Sequence, residues 1–193
     1  MKLRNKYLYI LISLLLITSC KDPEPVYPKP LSGMKLSLPE KNYNKIVDGC
    51  TYSFKTPSYT NIDSAQGKCN LNINYTPLNA TLFMTYIPID TNLINHIEYS
   101  RKLVYEHAMK ADEIREGRIS NPKHNVYGLA YKLIGNSASS YQFYLTDSTT
   151  HFLRGALYFN VSPNYDSLKP FITYLMTDFD TLFQSLKWHN IDK

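Results

Sequence analysis

The chain has 193 residues, with 21 Lys and Arg against 16 Asp and Glu and a formal charge of +5. Three of the basic residues, Lys2, Arg4 and Lys6, sit at the extreme N-terminus. The remainder is close to balanced, and no lysine-rich or arginine-rich run argues for a nucleic-acid partner.

Those three basic residues precede an apolar run, Tyr7 to Ile17, which has the length of a signal-peptide core and is too short to span a bilayer as a helix. The run ends in Leu16-Ile17-Thr18-Ser19-Cys20, which resembles a bacterial lipobox. Residues 1–19 are therefore expected to be a leader, and Cys20 the lipid-bearing N-terminus. Two or three acyl chains, palmitate among them, hold a protein stably on a membrane where one chain does not. Nothing later in the chain is long and apolar enough for a second membrane pass.

Residues 20–32 read as a tether. Prolines at 23, 25, 28 and 30 favour extended polyproline II, a semi-rigid spacer of roughly 30 Å. Residues 33–193 form the single folded domain that this length supports.

From Gly33 to Pro88 the signals are short strands: Met34 to Leu38, Tyr43 to Val47, Tyr52 to Lys55, Leu71 to Tyr75 and Thr81 to Ile87. Pro39, Asp48-Gly49, Pro57, Pro77 and Pro88 punctuate them, predicting an antiparallel meander. Ser58 to Lys68 is polar and is expected to be an exposed loop. Cys50 and Cys69 flank it, and in an oxidising compartment the pair reads as one disulfide closing about twenty residues, worth roughly 3 kcal/mol in the chain-entropy model. The rival reading, a redox-active pair, lacks the C-x-x-C spacing.

Asn92 to Lys110 changes period. Leu93, Ile97, Val104 and Ala108 recur at helical spacing, with Thr91 or Asn92 available as a cap. Asp112 to Ile119 is mixed and can form a strand before the turn at Asn121-Pro122. A three-strand meander follows, 126 to 134, 138 to 146 and 151 to 161, with Gly135-Asn136 as a tight hairpin turn. Along its last two arms Tyr141, Phe143, Leu145, Leu153, Leu157 and Phe159 share one face and read as core. Gln142, Tyr144, Arg154 and Tyr158 share the other, as a candidate docking face or as a polar cluster within the sheet.

Asp166 to Trp188 closes the chain with a wide apolar stripe, an N-cap expected at Asp166 or Ser167, and Pro170 expected in the first turn. This element order predicts an α+β fold, an antiparallel sheet with two main amphipathic helices packed on it, similar in outline to the Mog1/PsbP-like architecture.

Catalytic and metal signatures are weak. Gly135-Asn136-Ser137-Ala138-Ser139 partly imitates a nucleophile elbow, with His151 and Asp147 as paper partners. The elbow, however, needs a strand-to-helix turn and a second glycine, where this chain has a strand and Ser139. The histidines at 96, 107, 124, 151 and 189 show no i,i+4 pairing and no cysteine at ligand spacing, and neither a Walker A motif nor G-x-G-x-x-G occurs. The expectation is a chain without catalytic residues, cofactor or metal, and without a small-molecule substrate or nucleic-acid partner.

The blocks Asn136 to Ser140, Gln142 to Ser148 and His151 to Asn160 resemble the GldD family of gliding-motility lipoproteins of Bacteroidota. The likeness extends to Tyr27-Pro28-Lys29-Pro30, Leu38-Pro39-Glu40-Lys41, Cys50 with Tyr52-Ser53-Phe54, Cys69 to Ile73, Lys110-Ala111-Asp112, Val126-Tyr127-Gly128 and the closing helix. Asn70, where a bulky aromatic is expected, departs from it. The resemblance implies a non-enzymatic, lipid-anchored component of the gliding machinery, linked to type IX protein secretion, with a GldE-like membrane protein as partner. Lys21 after the cysteine is not the aspartate that retains enteric lipoproteins at the inner membrane. The expected location is thus the outer membrane facing the periplasm, with the inner membrane and the cell surface as alternatives. The competing class is a periplasmic glycan or cell-wall binding module or a hydrolase, which a deep pocket with convergent polar groups would favour over a flat aromatic patch.

Overall fold

A computed structural model describes residues 37–48, 51–64 and 69–189. The chain divides between Ser37 and Leu38, and every described strand and helix belongs to the part from Leu38 onward. The expected leader, lipidated cysteine and tether lie outside the described residues.

The fold is α+β. Among the described residues ten strands form two antiparallel sheets, and two helices complete the domain. Strands β1 (Lys45–Asp48), β2 (Tyr52–Thr56) and β10 (Lys187–Trp188) make a small sheet in the order β1-β2-β10. The main sheet holds β3 (Asn61–Ser64), β4 (Leu71–Tyr75), β5 (Ala80–Pro88), β6 (Ala111–Asn121), β7 (Val126–Gly135), β8 (Tyr141–Thr146) and β9 (His151–Phe159). Its order is β3-β4-β5-β9-β8-β7-β6, with the hairpin β8–β9 near the middle. Helix α1 (Leu93–His107) joins β5 to β6, and α2 (Tyr165–Ser185) follows β9.

Side chains alternate across the main sheet because successive residues of a strand point to opposite faces. Leu82, Met84, Tyr141, Phe143, Leu145, Leu153 and Leu157 lie on one face. They form the larger core with Tyr52 and Phe54 of the small sheet and with Ile172, Leu175, Phe179, Leu182 and Phe183 of α2. A smaller core on the opposite face gathers Tyr131, Leu133, Tyr144 and Phe152 beneath Val104 of α1.

Two glycines explain how strands approach so closely. Gly155 stands directly opposite Phe143, and a Cβ there would lie 2.2 Å from the phenyl ring, so the ring occupies the room that a side chain would take. Gly135 has φ +110°, a backbone that favours glycine, where β7 ends.

Two short connections are built alike. Pro77 lies in a 3₁₀ turn at Thr76–Leu78 and Pro122 in another at Pro122–His124. Each turn ends on an asparagine in the left-handed region, Asn79 at φ 48° and Asn125 at φ 52°.

Several boundaries differ from those the sequence predicts. Ser58 to Lys68, expected as a loop, contains the edge strand β3, which pairs Asn61 with Asn74 and Ser64 with Leu71. Three of its four residues are polar and exposed, and the fourth, Ile62, packs against the larger core. Tyr43 to Val47 begins as irregular chain and becomes strand only at Lys45. The tight turn expected at Gly135-Asn136 is a longer connection, 136–140. Asn164, not Asp166 or Ser167, caps α2, its side-chain oxygen accepting from the Ser167 N–H at 3.3 Å. Pro170 is therefore the sixth helical residue rather than a first-turn one. Residues 187–188 leave the helix to pair with Tyr52 and Ser53.

Candidate functional site

The hairpin β8–β9 places the four residues of the expected docking face on the side of the sheet that α1 covers in part. Tyr144 is 7% exposed, stacked on Phe152 with centroids 5.5 Å apart. Gln142 is 3% exposed, between Tyr131 of β7 and Ala156 of β9 in the register. Its amide nitrogen has no hydrogen-bond partner among the described residues. These two side chains belong to the interior and do not form part of a contact surface. They read as surface in sequence because a polar residue and a tyrosine alternate with core residues, and nothing local announces the helix that folds back over them.

Arg154 and Tyr158 are only half buried. They stand opposite Thr85 and Thr81 of β5, and Arg154 has Tyr144 of the smaller core on its other side. Between those threonines lies Phe83, 44% exposed, whose ring meets Tyr158 edge-on at 5.6 Å. Burial raises the pKa of the Tyr158 hydroxyl, and the positive charge of Arg154 works in the opposite direction, so the phenol stays protonated. Next to this aromatic pair β4 and β3 supply a polar row. Thr81 Oγ1 donates to Asn74 Oδ1 at 2.9 Å, and Asn74 Nδ2 donates to Asp63 Oδ2 at 2.5 Å. The result is a strip of the sheet that is aromatic and cationic at β5–β9 and polar toward the edge at β3. Sequence reasoning misses Phe83, although its place between Thr81 and Thr85 is a legible signal.

The hydrolase alternative can be tested at the far end of the same hairpin. A cleft of about 450 Å³ is lined by His124, Asp147, His151, Lys187, Trp188 and His189, among others. Of its polar side chains, Asp147, His151 and His189 are engaged in holding the fold, the last with its Nε2 2.9 Å from Ser53 Oγ. Asp147 Oδ1 accepts from the backbone N–H of Thr149, Thr150 and His151 at 3.0, 2.8 and 2.8 Å, and its Oδ2 accepts from Thr149 Oγ1 at 2.9 Å. Burial opposes ionisation of this carboxyl, but the four hydrogen bonds outweigh it and hold its pKa below the usual range. His151 Nδ1 lies 2.9 Å from the Tyr86 hydroxyl, and its ring stacks on Trp188 at 5.0 Å and 5°. Burial lowers the His151 pKa against the pull of Asp147.

The serines of the elbow-like segment lie at the other end of β8, a strand that spans about 20 Å at about 3.3 Å per residue. Ser137 Oγ donates to the Ser139 carbonyl at 2.8 Å, and Ser139 Oγ to the Leu157 carbonyl at 2.9 Å. No Ser–His–Asp relay connects them. Among the described residues no group of three His, Cys, Asp or Glu could hold a metal ion.

A second constellation is invisible to sequence reasoning. Asp178 of α2 is 1% exposed. It accepts hydrogen bonds from the Tyr43 and Tyr59 hydroxyls at 2.6 and 2.9 Å and pairs with Lys41 Nζ at 2.9 Å. Lys41 also lies 3.9 Å from the centre of the Tyr174 ring and donates to the Tyr174 carbonyl, while the Tyr174 hydroxyl donates to the Pro39 carbonyl. Burial, with the Asp178 carboxylate beside them, pushes the Tyr43 and Tyr59 hydroxyls far above the ordinary phenol range, so both remain donors. The cluster fastens residues 39–43 to α2. Cys50, the expected disulfide partner of Cys69, lies outside the described residues.

An antiparallel sheet covered on one side by α2 and partly covered on the other by α1 defines a domain of the α+β class. The chain belongs to the gliding motility lipoprotein GldD family, whose model matches residues 23–188. It is thus a membrane-anchored lipoprotein of the cell envelope and a component of gliding motility. Among the described residues no helix is long and apolar enough to cross a membrane. No curated protein matches the chain.

Proposed function

We propose that this protein is a non-enzymatic docking component of the gliding machinery, linked to type IX protein secretion, and that it meets its partner through the open strip around Phe83, Arg154 and Tyr158. The observation that carries this reading is the half-covered sheet face. Helix α1 seals the part over Tyr131, Leu133, Tyr144 and Phe152, while Phe83, a large apolar side chain, stays 44% exposed beside a tyrosine and an arginine. Aromatic residues and arginine are the types enriched where proteins meet, since they offer large rigid area and directed donors.

In the same reading, acylated Cys20 holds the domain at the outer membrane facing the periplasm, and the proline-rich tether sets its height. A GldE-like membrane protein is the expected partner. A disulfide between Cys50 and Cys69 closes the loop they flank, a pairing supported by the even pair of cysteines left beside Cys20 and by their spacing, which is not C-x-x-C. The absence of an enzymatic role is supported by the engagement of Asp147, His151 and the serines in structural hydrogen bonds.

The test is a strain whose only copy carries Arg154→Ala and Tyr158→Ala at wild-type protein level. Loss of gliding is the expected outcome, because tyrosine and arginine are the types that form interface hot spots, each of which costs about 2 kcal/mol or more on truncation. Normal gliding by that strain would remove the docking strip from consideration.

A further inference from the structure

The main sheet has two edges, and they are unlike. At one end β3 has four residues, the short form that protects an edge from pairing with other chains. At the other, β6 has eleven residues and among the described residues pairs only with β7. A strand paired on one side presents a row of N–H and C=O groups that can accept another strand.

Gly117 sits within this exposed strand. Each of the other described glycines has a reason inside the chain. At Gly128 a Cβ would lie 1.9 Å from the Tyr144 carbonyl oxygen, at Gly155 it would strike the Phe143 ring, and Gly135 has a positive φ. At Gly117 a Cβ would meet nothing within 4 Å, and the backbone has no positive φ. A glycine weakens a strand interior unless something approaches closely. Among the described residues nothing does so at Gly117.

The register supplies the missing neighbour. A shift between Ala111 and Glu113 interrupts the pairing of β6, which is continuous from Glu113 to Asn121. The midpoint of that stretch is Gly117. If a second copy pairs antiparallel about a two-fold axis through Gly117, Glu116 of each copy faces Arg118 of the other, giving two opposite-charge pairs on either side of the axis. All nine residues of the regular stretch then find partners. An axis at Arg115 or Arg118 sets two arginines against each other, and one at Glu116 sets two glutamates. An axis at Ile114 sets Glu113 against Arg115 but opposes Asp112 to Glu116, so its charges cancel, and it lies three residues from the middle of the regular stretch. Like charges directly opposite each other destabilise a strand pair and opposite charges stabilise it.

We propose that β6 is an interface between two copies of this chain, joined antiparallel about a two-fold axis at Gly117 so that the two main sheets become one. Glu116 and Arg118 set the register, and Gly117 admits the close approach of the two backbones. This interface is separate from the docking strip and does not depend on it.

Full-length protein carrying Gly117→Cys, oxidised with copper phenanthroline in intact cells, tests the pairing against the wild-type chain, which carries only its own three cysteines. A covalent dimer is expected from Gly117→Cys. None is expected from Glu113→Cys, whose counterpart lies eight residues away along the pair, roughly 27 Å at about 3.4 Å per residue. In the Gly117→Cys background, Glu116→Arg or Arg118→Glu alone should cut the dimer yield by about tenfold, since each turns both attractive pairs into repulsive ones, and the two together should restore it. Wild-type protein extracted in detergent should sediment as a dimer. A monomer in that measurement would overturn the proposal. So would equal crosslinking at positions 113 and 117, or a dimer yield indifferent to the charge reversals.

Discussion

Replacing Asp178 by alanine is expected to destabilise the domain by about 3 kcal/mol, the low end for removing one partner from a buried ion pair. The carboxylate is fully enclosed and satisfies three donors at once, Lys41 Nζ and the hydroxyls of Tyr43 and Tyr59. Without it, two phenols and an ammonium, all partly buried, lose the acceptor they share, which is the costly side of a hydrogen bond. Unfolding of the purified protein followed by circular dichroism should show a fall in Tm of roughly 10 °C for a domain of this size. Asp178→Asn keeps an acceptor oxygen and should lose less. A melting temperature unchanged in Asp178→Ala would mean that the cluster does not hold the chain.

The location of this cluster matters because Leu38 is where the described domain meets the segment that leads to Cys20. Lys41 and Tyr43, both fixed to Asp178 of α2, hold the first residues of the domain to its longest helix. The tyrosines that the composition makes conspicuous are thus divided between tasks. Tyr43 and Tyr59 secure the N-terminal segment, Tyr52 and Tyr141 fill the core, and Tyr158 stands at the open strip.

Gly155→Ala is expected to cost about 3 kcal/mol, at the upper end of what overpacking usually costs. The added carbon would lie 2.2 Å from Cζ of Phe143, in the middle strands of the sheet, where neither backbone can withdraw. The ring cannot turn aside either, being held edge-on by Phe183 at 4.9 Å. A second change, Phe143→Leu, frees the space. The two changes together should therefore cost less than the sum of the two alone, by a coupling of about 1 kcal/mol or more. Denaturant unfolding of the four proteins gives that coupling directly, and strict additivity would show that the contact is not the source of the loss.

The arms of the hairpin are legible in the sequence because alternation at period two is a local signal. Tyr141, Phe143, Leu145, Leu153 and Leu157 all face the larger core as that alternation predicts. Helix α2 is legible from its stripe, but its first residue is not, because Asn164, Asp166 and Ser167 are all capable caps, and only the observed contact from Asn164 to the Ser167 N–H distinguishes them. Asp178 lies in that stripe between Leu175 and Phe179 and gives no local sign of its role, since Lys41, Tyr43 and Tyr59 lie more than a hundred residues earlier.

The candidate face is half legible for a related reason. Strand alternation says which side chains share a face but not how far a helix extends over it. Helix α1 buries Tyr144 and leaves Arg154 and Tyr158 at the surface, although all three occupy the same side of one hairpin. Phe83 joins them only through the pairing of β5 with β9, a contact between residues more than seventy positions apart.

The docking strip is tested most directly by a photoreactive amino acid placed at Phe83 or Tyr158 of the full-length protein in gliding cells, with the same probe at Tyr99 on α1 as the comparison. The account predicts one discrete crosslinked product, identifiable by mass spectrometry as a gliding or secretion component. It should form from positions 83 and 158, fail to form from 99, and disappear when Arg154 is changed to alanine. A product formed equally from Tyr99, or none from the strip in cells that glide normally, would contradict it.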